Sequence, residues 1–519
     1  MVIWLGRLRP RRAAIRDLLG LSSRFLALFL WLNFLLATVL RADETLPRAD
    51  AGAPSDADLS VNTQATVQQI QRSQDSATPG PWRGPQPTYG RSWDEPEACF
   101  FQRYWFQMGD EFNNPEVNSR FRVNDPYVAT HPTFHARRET RGNGLMLITF
   151  PEKLREISAA RLYVEMWGGH PHSTNRRVTL NGRSTYGLPT PDDAHCTHAY
   201  QQIPLKITDL VNGANALQFA VDGDETFWGH FIVEEAAIDA MLSRTDPRLL
   251  ELLGTEQSLP SLEVSTQGLQ EKVRLQVKLS PTLSHEVVQV HYFAYYEDFD
   301  ENGDGADSDW HGMTLRKNPV GHVGTAIQPP YGLDWDTSML PAQELVRMRA
   351  WIEFKNSPAV RSQEQAWQDA GLRYWKSQSL IMQTATSAPI AIEHPPGIVV
   401  QRIAAQDMAV PFWSRADRER TCNFPVEVDT GSIDRVQLSV CVWDGGAGEV
   451  TDYFQLNGHQ LNVAGTGAHS VIYSVLPVAP AWLQLGANLV QLRSDTEHHG
   501  IEILYPGPEL TIRYRSKAQ

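Results

Sequence analysis

Positive charge is scarce in this sequence once its first residues are set aside. The 519 residues carry a formal net charge of −14, and the first 42 contribute seven arginines against one aspartate. Without that segment's net charge of +6, the rest of the chain carries −20. With no basic stripe visible in the sequence, the chain has no general electrostatic attraction to nucleic acid or to anionic lipid. Nucleic acid is therefore excluded from the predicted partners.

The sequence also lacks an apolar run of the length usual for a membrane-spanning helix. The run over residues 25–40 has 16 residues, whereas a spanning helix needs about 20. With arginines before it, this run is typical of a secretory signal cleaved after Ala42. Because Leu40 stands where a small residue is usual, an uncleaved signal anchor over residues 1–42 remains an alternative. In both cases the rest of the chain is predicted to be secreted or extracytoplasmic, and the membrane is a partner only through this segment.

Cysteine is rare, and the whole chain has four: Cys99, Cys196, Cys422 and Cys441. In an oxidising compartment two local disulfides are expected, one between the first two cysteines and one between the last two. The alternative is four buried thiols.

Motifs of familiar catalytic sites are missing as well. Residues 285–291 begin like a zinc-protease motif, but Gln289 replaces the second histidine and the β-branched composition is that of a strand. Residues 182–187 have one residue too many for a nucleophile elbow, and no glycine-rich phosphate loop occurs. The carboxylate pair of a glycosidase is recognisable only from its separation in the folded protein. Catalysis therefore stays open, with a non-enzymatic role favoured.

What the sequence does contain is a polar segment after residue 42, followed by a series of strand signals. Residues 43–93 are rich in Ala, Asp, Ser, Gln and Pro and are predicted to be a disordered linker. Beyond them, short runs rich in β-branched and aromatic residues, such as 160–167, end at Gly, Asn, Asp or Pro. One clear helix signal covers residues 245–254, with a capping Thr or Asp, Pro247 in the first turn and Gly254 at the end. The predicted fold class is all-β, with several sandwich domains.

Several of these segments occur twice, in the same order. Residues 160–169 match residues 436–446, and each copy then reaches an Asn-Gly pair, Asn181-Gly182 or Asn457-Gly458, and a Gly-Ala-Asn turn. Asn-Gly tolerates the positive φ angles of a tight hairpin turn. The alternating apolar residues predicted to face the core are Leu162, Val164 and Met166 in the first copy and Leu438, Val440 and Val442 in the second. One domain type has been used twice.

This order of a strand, an Asn-Gly turn, a polar loop, a Gly-Ala-Asn turn and a final strand resembles the galactose-binding-like jelly-roll domains. The resemblance implies that the two repeated domains are carbohydrate-binding modules or accessory domains of the kind found in glycoside hydrolases. The strand spacing between the two copies resembles an immunoglobulin-like or fibronectin-III-like sandwich. The predicted organisation is a signal peptide or anchor (1–42), a linker (43–93), a jelly roll (94–242), a helical connector (243–257), the middle sandwich with an acidic loop (258–356), a linker (357–394) and a second jelly roll (395–516).

The acidic loop, residues 298–311, holds five aspartates, a glutamate and an asparagine between two strand-like runs. Calcium takes oxygen ligands at alternating positions around a glycine turn. One register fits, with the turn at Gly303 and the ligands Asp298, Asp300, Asn302, the carbonyl of Asp304, and Asp309. Because so many carboxylates repel one another unless a cation or water relieves them, a structural calcium ion is predicted. A solvated acidic hairpin is the alternative.

Both repeats carry residues suited to sugar recognition where their strands end. Such recognition needs carboxylates or amides for the hydroxyls and an aromatic face for the ring. The candidates in the first copy are Trp167, His170, His172, Asp222, Asp224, Trp228 and His230; in the second they are Trp443, Asp444, Asp495, Glu497, His498 and His499. As alternatives, His170 and His172 together with His195 or His198 would bind zinc, and the tryptophans would serve in packing.

Together these features predict an exported, non-catalytic, lectin-like protein that binds carbohydrate in extracellular or cell-surface polysaccharide. Two weak sites held apart by a spacer would gain from avidity. One alternative is a polysaccharide-active hydrolase or lyase with a carboxylate pair at a jelly-roll rim. The other is a structural or adhesive protein-binding module, which would expose apolar patches instead.

Overall fold

Strands dominate the protein, and the all-β, multidomain sandwich architecture agrees with the sequence. The structure, a computed structural model, describes residues 88–89, 98–108, 121–124, 145–168, 173–188, 197–223, 230–254, 258–266, 271–297, 308–311, 323–369, 373–374, 378–409, 411–463, 465–467, 471–497, 499–504 and 507–516. No helix within these residues combines the length and the apolar character needed to cross a membrane.

The N-terminal sandwich packs a sheet ordered β1-β9-β6-β11-β2 against a sheet ordered β5-β10-β7-β8, and β4 pairs with β11. Leu162, Val164 and Met166 are buried in its core, as their alternation predicted. The strands are β1 (Thr88–Tyr89), β2 (Cys99–Trp105), β3 (Gln107–Met108), β4 (Phe121–Asn124), β5 (Leu145–Phe150), β6 (Ile157–Gly168), β7 (Ser173–Leu180), β8 (Ser184–Gly187), β9 (Thr197–Leu205), β10 (Gly213–Gly223) and β11 (His230–Leu242).

The middle sandwich packs a sheet ordered β12-β13-β17 against strands β14 and β18. Its first helix, α1, begins after Asp246, whose side chain accepts a hydrogen bond from the Arg248 amide, and ends at Gly254, which has positive φ. The elements are α1 (Pro247–Leu253), β12 (Ser261–Thr266), β13 (Lys272–Lys278), α2 (Pro281–Ser284), β14 (Val287–Glu297), β15 (Ser308–His311), β16 (Gly324–Ala326), β17 (Gly332–Asp336), β18 (Gln343–Phe354), α3 (Pro358–Asp369), β19 (Arg373–Tyr374), β20 (Ser379–Gln383) and β21 (Ile390–Ile392).

Strand β20 joins these two sandwiches into one sheet. It pairs with β2 on one side and with β18 on the other, so a 12-stranded sheet runs through both sandwiches. All five residues of β20 are buried, which explains why its short apolar run has no alternation. The region 357–394, expected to be a linker, therefore contains α3 and a central strand.

A buried ion pair reinforces this seam. The Asp239 carboxylate accepts hydrogen bonds from Arg103 at 2.7 and 2.8 Å and from Arg161 at 2.7 Å. Burial raises the pKa of Asp239, but the charges and hydrogen bonds of Arg103 and Arg161 outweigh it and lower the pKa overall. The Arg103 guanidinium lies 4.5 Å from the ring centre of Tyr163 and 4.9 Å from that of Trp351, which belongs to β18. Aromatic rings from both sandwiches thus enclose the charge.

The C-terminal sandwich packs a sheet ordered β22-β31-β25-β30-β23, with β28 beside β25, against a sheet ordered β24-β29-β26-β27. Leu438, Val440 and Val442 lie in its core as predicted. The strands are β22 (Ile398–Ala404), β23 (Trp413–Ser414), β24 (Arg420–Val426), β25 (Ile433–Gly445), β26 (Phe454–Leu456), β27 (His459–Gln460), β28 (Val471–Val478), β29 (Gly486–Leu492), β30 (Gly500–Ile503) and β31 (Glu509–Arg515).

The predicted disulfide between Cys422 and Cys441 is wrong. Cys422 is a buried free thiol in the core between the two sheets, and burial raises its pKa to about 12. Cys441 lies on the opposite face of β25, in a separate cluster with Trp443, so the two sulfur atoms face different layers. Cys196 lies outside the described residues, and its pairing with Cys99 stays a prediction.

The duplication extends to individual hydrogen bonds. Both Asn-Gly turns have positive φ at each residue, 51° and 66° in the first copy and 50° and 78° in the second. The Asn181 amide nitrogen donates to Asn215 at 2.8 Å, and Asn457 donates to Asn488 at 2.8 Å. Asn215 and Asn488, from the two Gly-Ala-Asn turns, are both fully buried. Each copy therefore links its two turns through the same pair of asparagines.

Candidate binding surface of the C-terminal sandwich

The N-terminal sandwich contributes one described side chain to the predicted ligand site. Asp222 accepts hydrogen bonds from Arg177 at 2.8 Å and from Asn175 at 2.6 Å, and about half of its carboxylate side chain is exposed. Trp167 and His230 lie in β6 and β11, and nothing is described of their side chains. The remaining candidates lie outside the described residues: His170, His172, Asp224 and Trp228. Their ligand roles stay predictions.

The acidic loop connects β14 to β15, which is the last strand of the 12-stranded sheet. Asp309 lies in β15 opposite Tyr296, so the strand that follows the loop lies at the edge of the sheet. The other proposed calcium ligands lie outside the described residues: Asp298, Asp300, Asn302 and Asp304. Across the part of the chain that the structure does describe, no three His, Cys, Asp or Glu side chains are grouped closely enough to hold a metal ion.

Trp443 and Asp444 are placed differently from the prediction. Trp443 is 7% exposed and packs with Ile232 of the N-terminal sandwich, in a cluster on the outer face of β25. Asp444 is completely buried and accepts hydrogen bonds from the amides of Gly465 and Gly467 at 2.9 and 3.2 Å, and from the Thr466 hydroxyl at 2.9 Å. Neither side chain is accessible to a ligand; the first joins two sandwiches and the second shapes a loop.

Three segments linked by backbone hydrogen bonds form the rim at one end of the C-terminal sandwich: residues 413–420, 446–453, and 493–497 with 499. Asp495 and Glu497 are exposed there, and the Asp495 carboxylate accepts the Glu449 amide at 3.1 Å. The backbone carbonyl of His499 accepts the indole nitrogen of Trp413 at 2.6 Å. The rim thus contains three of the sequence-predicted residues, Asp495, Glu497 and His499, while His498 lies outside the described residues.

A row of polar side chains crosses the outer face of the four-stranded sheet beside this rim. Thr421 pairs with Gln491, Gln491 with Gln455, and Gln455 with Gln460, in consecutive strands. Partners directly opposite in antiparallel strands place their side chains on the same face. We call these four residues the polar strip. Its residue types, hydroxyl and primary amide, both donate and accept hydrogen bonds.

Two carboxylates and an arginine connect the polar strip to the rim. The Arg493 guanidinium lies 3.3 Å from Glu419 and 3.4 Å from Asp452. Gln491 donates to Glu419 at 3.1 Å, and Gln455 donates to Asp452 at 2.8 Å. Each of the three charged side chains remains more than a third exposed. The result is a connected set of donors and acceptors in which the three charged side chains are exposed and Gln455 is largely buried beneath them.

Sequence reasoning missed the arginines of the first rim segment. Residues 413–420, which we call the arginine hairpin, contain Arg415, Arg418 and Arg420, and the Arg415 guanidinium lies 4.5 Å from the Trp413 ring centre. The spacing of Arg418 and Arg420 indicated two side chains on one face of a strand. The turn that brings Arg415 opposite Arg418 was not recognised.

Comparison with known proteins identifies no family for this chain. No family model matches it, and no curated protein matches it. Among solved structures, BuGH86wt in complex with neoagarooctaose matches at 11% identity and a TM-score of 0.20, over 49% of this chain and 33% of that chain. A β-porphyranase of glycoside hydrolase family 86 from the human gut bacterium Bacteroides plebeius matches at 10% identity and a TM-score of 0.21, over 54% of this chain and 42% of that chain. The chain thus spans less than half the length of these structures, and likeness at such TM-scores carries no argument about function.

Proposed function

We propose that this protein is an exported, non-catalytic carbohydrate-binding protein, and that the polar strip of the C-terminal sandwich with its adjoining rim is the binding surface. The observation that carries the proposal is the connected network of Gln455, Gln491, Glu419, Asp452 and Arg493 on the outer face of a sheet. Sugar hydroxyls are bound by such convergent amides and charged groups. Side chains held by one another and by a sheet lose little conformational freedom when a ligand binds.

The non-catalytic part of the proposal is supported by how these carboxylates are engaged. A glycosidase uses one carboxyl group as a general acid and a second as base or nucleophile, on opposite sides of the scissile bond. Glu419 and Asp452 instead flank one guanidinium, and each also accepts a hydrogen bond from a glutamine. Such an arrangement presents a fixed polar surface, which suits binding.

The test is a screen of the whole protein on arrays of glycans and polysaccharides, followed by affinity measurements on any ligand found. Gln491→Ala should weaken binding about fivefold, because one hydrogen bond contributes about 1 kcal/mol. Gln401→Ala is the matched control, since Gln401 is an exposed glutamine on β22, in the other sheet of the same sandwich.

Each rival function predicts a different result from the same screen. Depolymerisation of a bound polysaccharide would support the hydrolase or lyase alternative and contradict the non-catalytic role. An absence of binding to every glycan would overturn the proposal and leave the protein-binding module. If neither Gln491→Ala nor Gln401→Ala changes the affinity for the ligand, the polar strip is not part of the binding site.

A further inference from the structure

The duplication of the sandwich extends to the outer face of its four-stranded sheet. Gln491 of the polar strip lies three residues after the asparagine of the Gly-Ala-Asn turn, and Gln455 lies two residues before the asparagine of the Asn-Gly turn. The same two positions in the N-terminal copy hold Gln218 and Thr179. The sheet β5-β10-β7-β8 therefore carries polar residues where its counterpart carries the polar strip.

A row of these residues crosses three strands of the N-terminal sheet. Gln218 of β10 is directly opposite Thr179 of β7, which is directly opposite Thr185 of β8. Directly opposed partners project their side chains to one face. That face is the outer one, because Leu217 and Phe219, on either side of Gln218, lie in the core. We call Gln218, Thr179 and Thr185 the second strip.

The second strip is accessible to solvent. Gln218 is exposed, and Thr179 and Thr185 are half-buried. The two threonine hydroxyl oxygens lie 2.7 Å apart, which leaves further donor or acceptor capacity on the pair. The side-chain nitrogen of Gln218 lies 3.5 Å from the Phe219 carbonyl oxygen, a contact longer than a normal hydrogen bond. These amide and hydroxyl groups are thus available to pair with the hydroxyls of a ligand.

An arginine–carboxylate pair lies beside the strip in both copies. In the N-terminal copy, Arg177 of β7 lies 2.8 Å from Asp222 of β10. In the C-terminal copy the charges are exchanged between the corresponding strands, since Asp452 precedes β26 and Arg493 follows β29, 3.4 Å apart. Arg177 and Thr179 are two residues apart on one strand and share its outer face. The second strip therefore presents uncharged groups next to an arginine that is paired with a carboxylate.

Each copy also has one exposed leucine beside its glutamine. Leu147 of β5 is 45% exposed and lies opposite Ala216, which precedes Gln218 by two residues on the same face. Leu489 of β29 is 36% exposed and precedes Gln491 by two residues. A single exposed leucine is ordinary on a protein surface. Its recurrence next to the amide gives each strip an apolar area that the C–H side of a sugar ring can cover.

We propose that the second strip is another carbohydrate-binding site, which binds neutral sugar units of the same glycan as the polar strip through their hydroxyl groups. The proposal rests on the proposed carbohydrate-binding function and adds a site on the N-terminal sandwich. A few polar groups beside an apolar area are what fixes a small ligand such as a sugar unit. Two weak sites on one chain hold a polymer more tightly than either site alone.

The experiment measures binding of the whole protein to four neutral hexasaccharides by titration calorimetry: cellohexaose, laminarihexaose, mannohexaose and xylohexaose. We expect one of them to bind with two molecules per chain. Gln218→Ala should weaken one of the two sites about fivefold and Gln491→Ala the other, because one hydrogen bond contributes about 1 kcal/mol. On the corresponding immobilised polysaccharide, the double variant should lose about 25-fold in affinity, since losses at separate sites add in free energy.

A matched variant controls for the loss of a surface amide. Gln328→Ala changes an exposed glutamine of the middle sandwich, between β16 and β17, and should leave both sites unchanged. Thermal melting of every variant separates a lost contact from a lost fold.

The possible failures of the two proposals differ. One molecule per chain, with a loss in Gln491→Ala and none in Gln218→Ala, would overturn the second strip and leave the C-terminal site. Binding confined to acidic glycans would overturn the neutral ligand class and leave the carbohydrate function. Binding to none of the four hexasaccharides and to no glycan on the arrays would overturn both proposals.

Discussion

Glu353 shows how a partly buried carboxylate makes the stability of the protein depend on pH. Its oxygens accept hydrogen bonds from Gln289 at 2.6 Å and Ser379 at 2.7 Å, and His291 lies 3.9 Å away. Burial alone would raise the pKa of Glu353, but the nearby His291 imidazole and the hydrogen bonds from Ser379 and Gln289 lower it to about 2. The folded protein therefore binds this proton less readily than the unfolded chain. The stabilisation that ionised Glu353 gives the folded protein is complete above the unfolded-state pKa of this carboxyl group. It is lost as the pH falls from that value towards about 2.

Glu353→Gln should therefore reduce the decrease in the free energy of unfolding that the protein undergoes as the pH falls. Urea unfolding at a series of pH values should show the free energy of unfolding of the natural protein falling by about 2 kcal/mol more than that of the variant over the acid range, since one pKa unit corresponds to about 1.4 kcal/mol. Glu344→Gln, at an exposed position on the same strand, is the control. Parallel curves for Glu353→Gln and the natural protein would show that His291, Ser379 and Gln289 do not favour the charged form of Glu353.

Asn488 is a second residue whose side chain determines local structure. Its amide nitrogen donates to the carbonyls of Gln484 and Gly486 at 2.9 Å, and its oxygen accepts from the Gln484 amide at 2.9 Å and from Asn457 at 2.8 Å. Asn488→Ala should lower the free energy of unfolding by about 3 kcal/mol, because several buried groups lose partners at once. Asn462→Ala, at an exposed position in the same sandwich, should cost far less. A loss below about 1 kcal/mol for Asn488→Ala would mean that water replaces the amide.

At the scale of elements, sequence patterns predicted the features that residues close together along the chain determine. The alternating strands, both Asn-Gly turns and the caps of α1 all follow from local chemistry, and the structure confirms each. Strand β20 was missed because a buried five-residue run has neither alternation nor helical period. Trp443 was predicted to bind ligand at the end of its strand, but Ile232, a residue of another sandwich, packs against it and buries it. The arginine hairpin was missed because it depends on a turn that aligns Arg415 with Arg418.

The acidic loop is an element whose prediction remains to be tested. Its flanks, β14 and β15, are paired up to Glu297 and Ser308, so a cation in the loop would close a hairpin at the edge of the large sheet. Millimolar calcium should raise the melting temperature by about 5 °C and chelator should reverse it, since a ligand that binds only the folded state stabilises it. Asp298→Asn with Asp300→Asn should abolish the response, whereas Asp417→Asn, in an exposed turn of the C-terminal sandwich, should not. Identical melting with calcium and chelator would favour the solvated hairpin.

At the scale of the whole molecule, side-chain contacts join the sandwiches directly, in addition to the helical connector and the linker that the sequence predicted between them. The cluster of Trp443, Cys441 and Val471 against Ile232 joins the first and last sandwiches. Arg513 pairs with Glu271 at 2.9 Å, and His394 lies 2.7 Å from the same carboxylate, which ties the last sandwich to the middle one. The proposed binding surface therefore belongs to a sandwich that packs against both of the others.

Trp443→Ala should weaken that assembly without touching the binding surface. We expect the free energy of unfolding to fall by about 3 kcal/mol, as for other large buried aromatic residues, with calorimetry resolving the C-terminal sandwich as a separate transition. Ile232→Ala should act in the same direction, and the double variant should show coupling because the two side chains share one cluster. Trp482→Ala is the control, since Trp482 is only partly buried and stacks on His459 at the other side of the sandwich. Glycan affinity unchanged in Trp443→Ala would agree with a packing role; its loss would return Trp443 to the binding site.

The position of β20 also constrains the order in which the protein can mature. Strand β2 is translated before the middle sandwich, yet its partner strand Ser379–Gln383 is translated only after most of that sandwich. Until then the edge of β2, with Phe100 and Phe101, has open backbone groups that could pair with another chain. A growing or exported chain must therefore be shielded until residue 383 has emerged. A fragment that stops before β20 should aggregate, whereas one extended through it should fold.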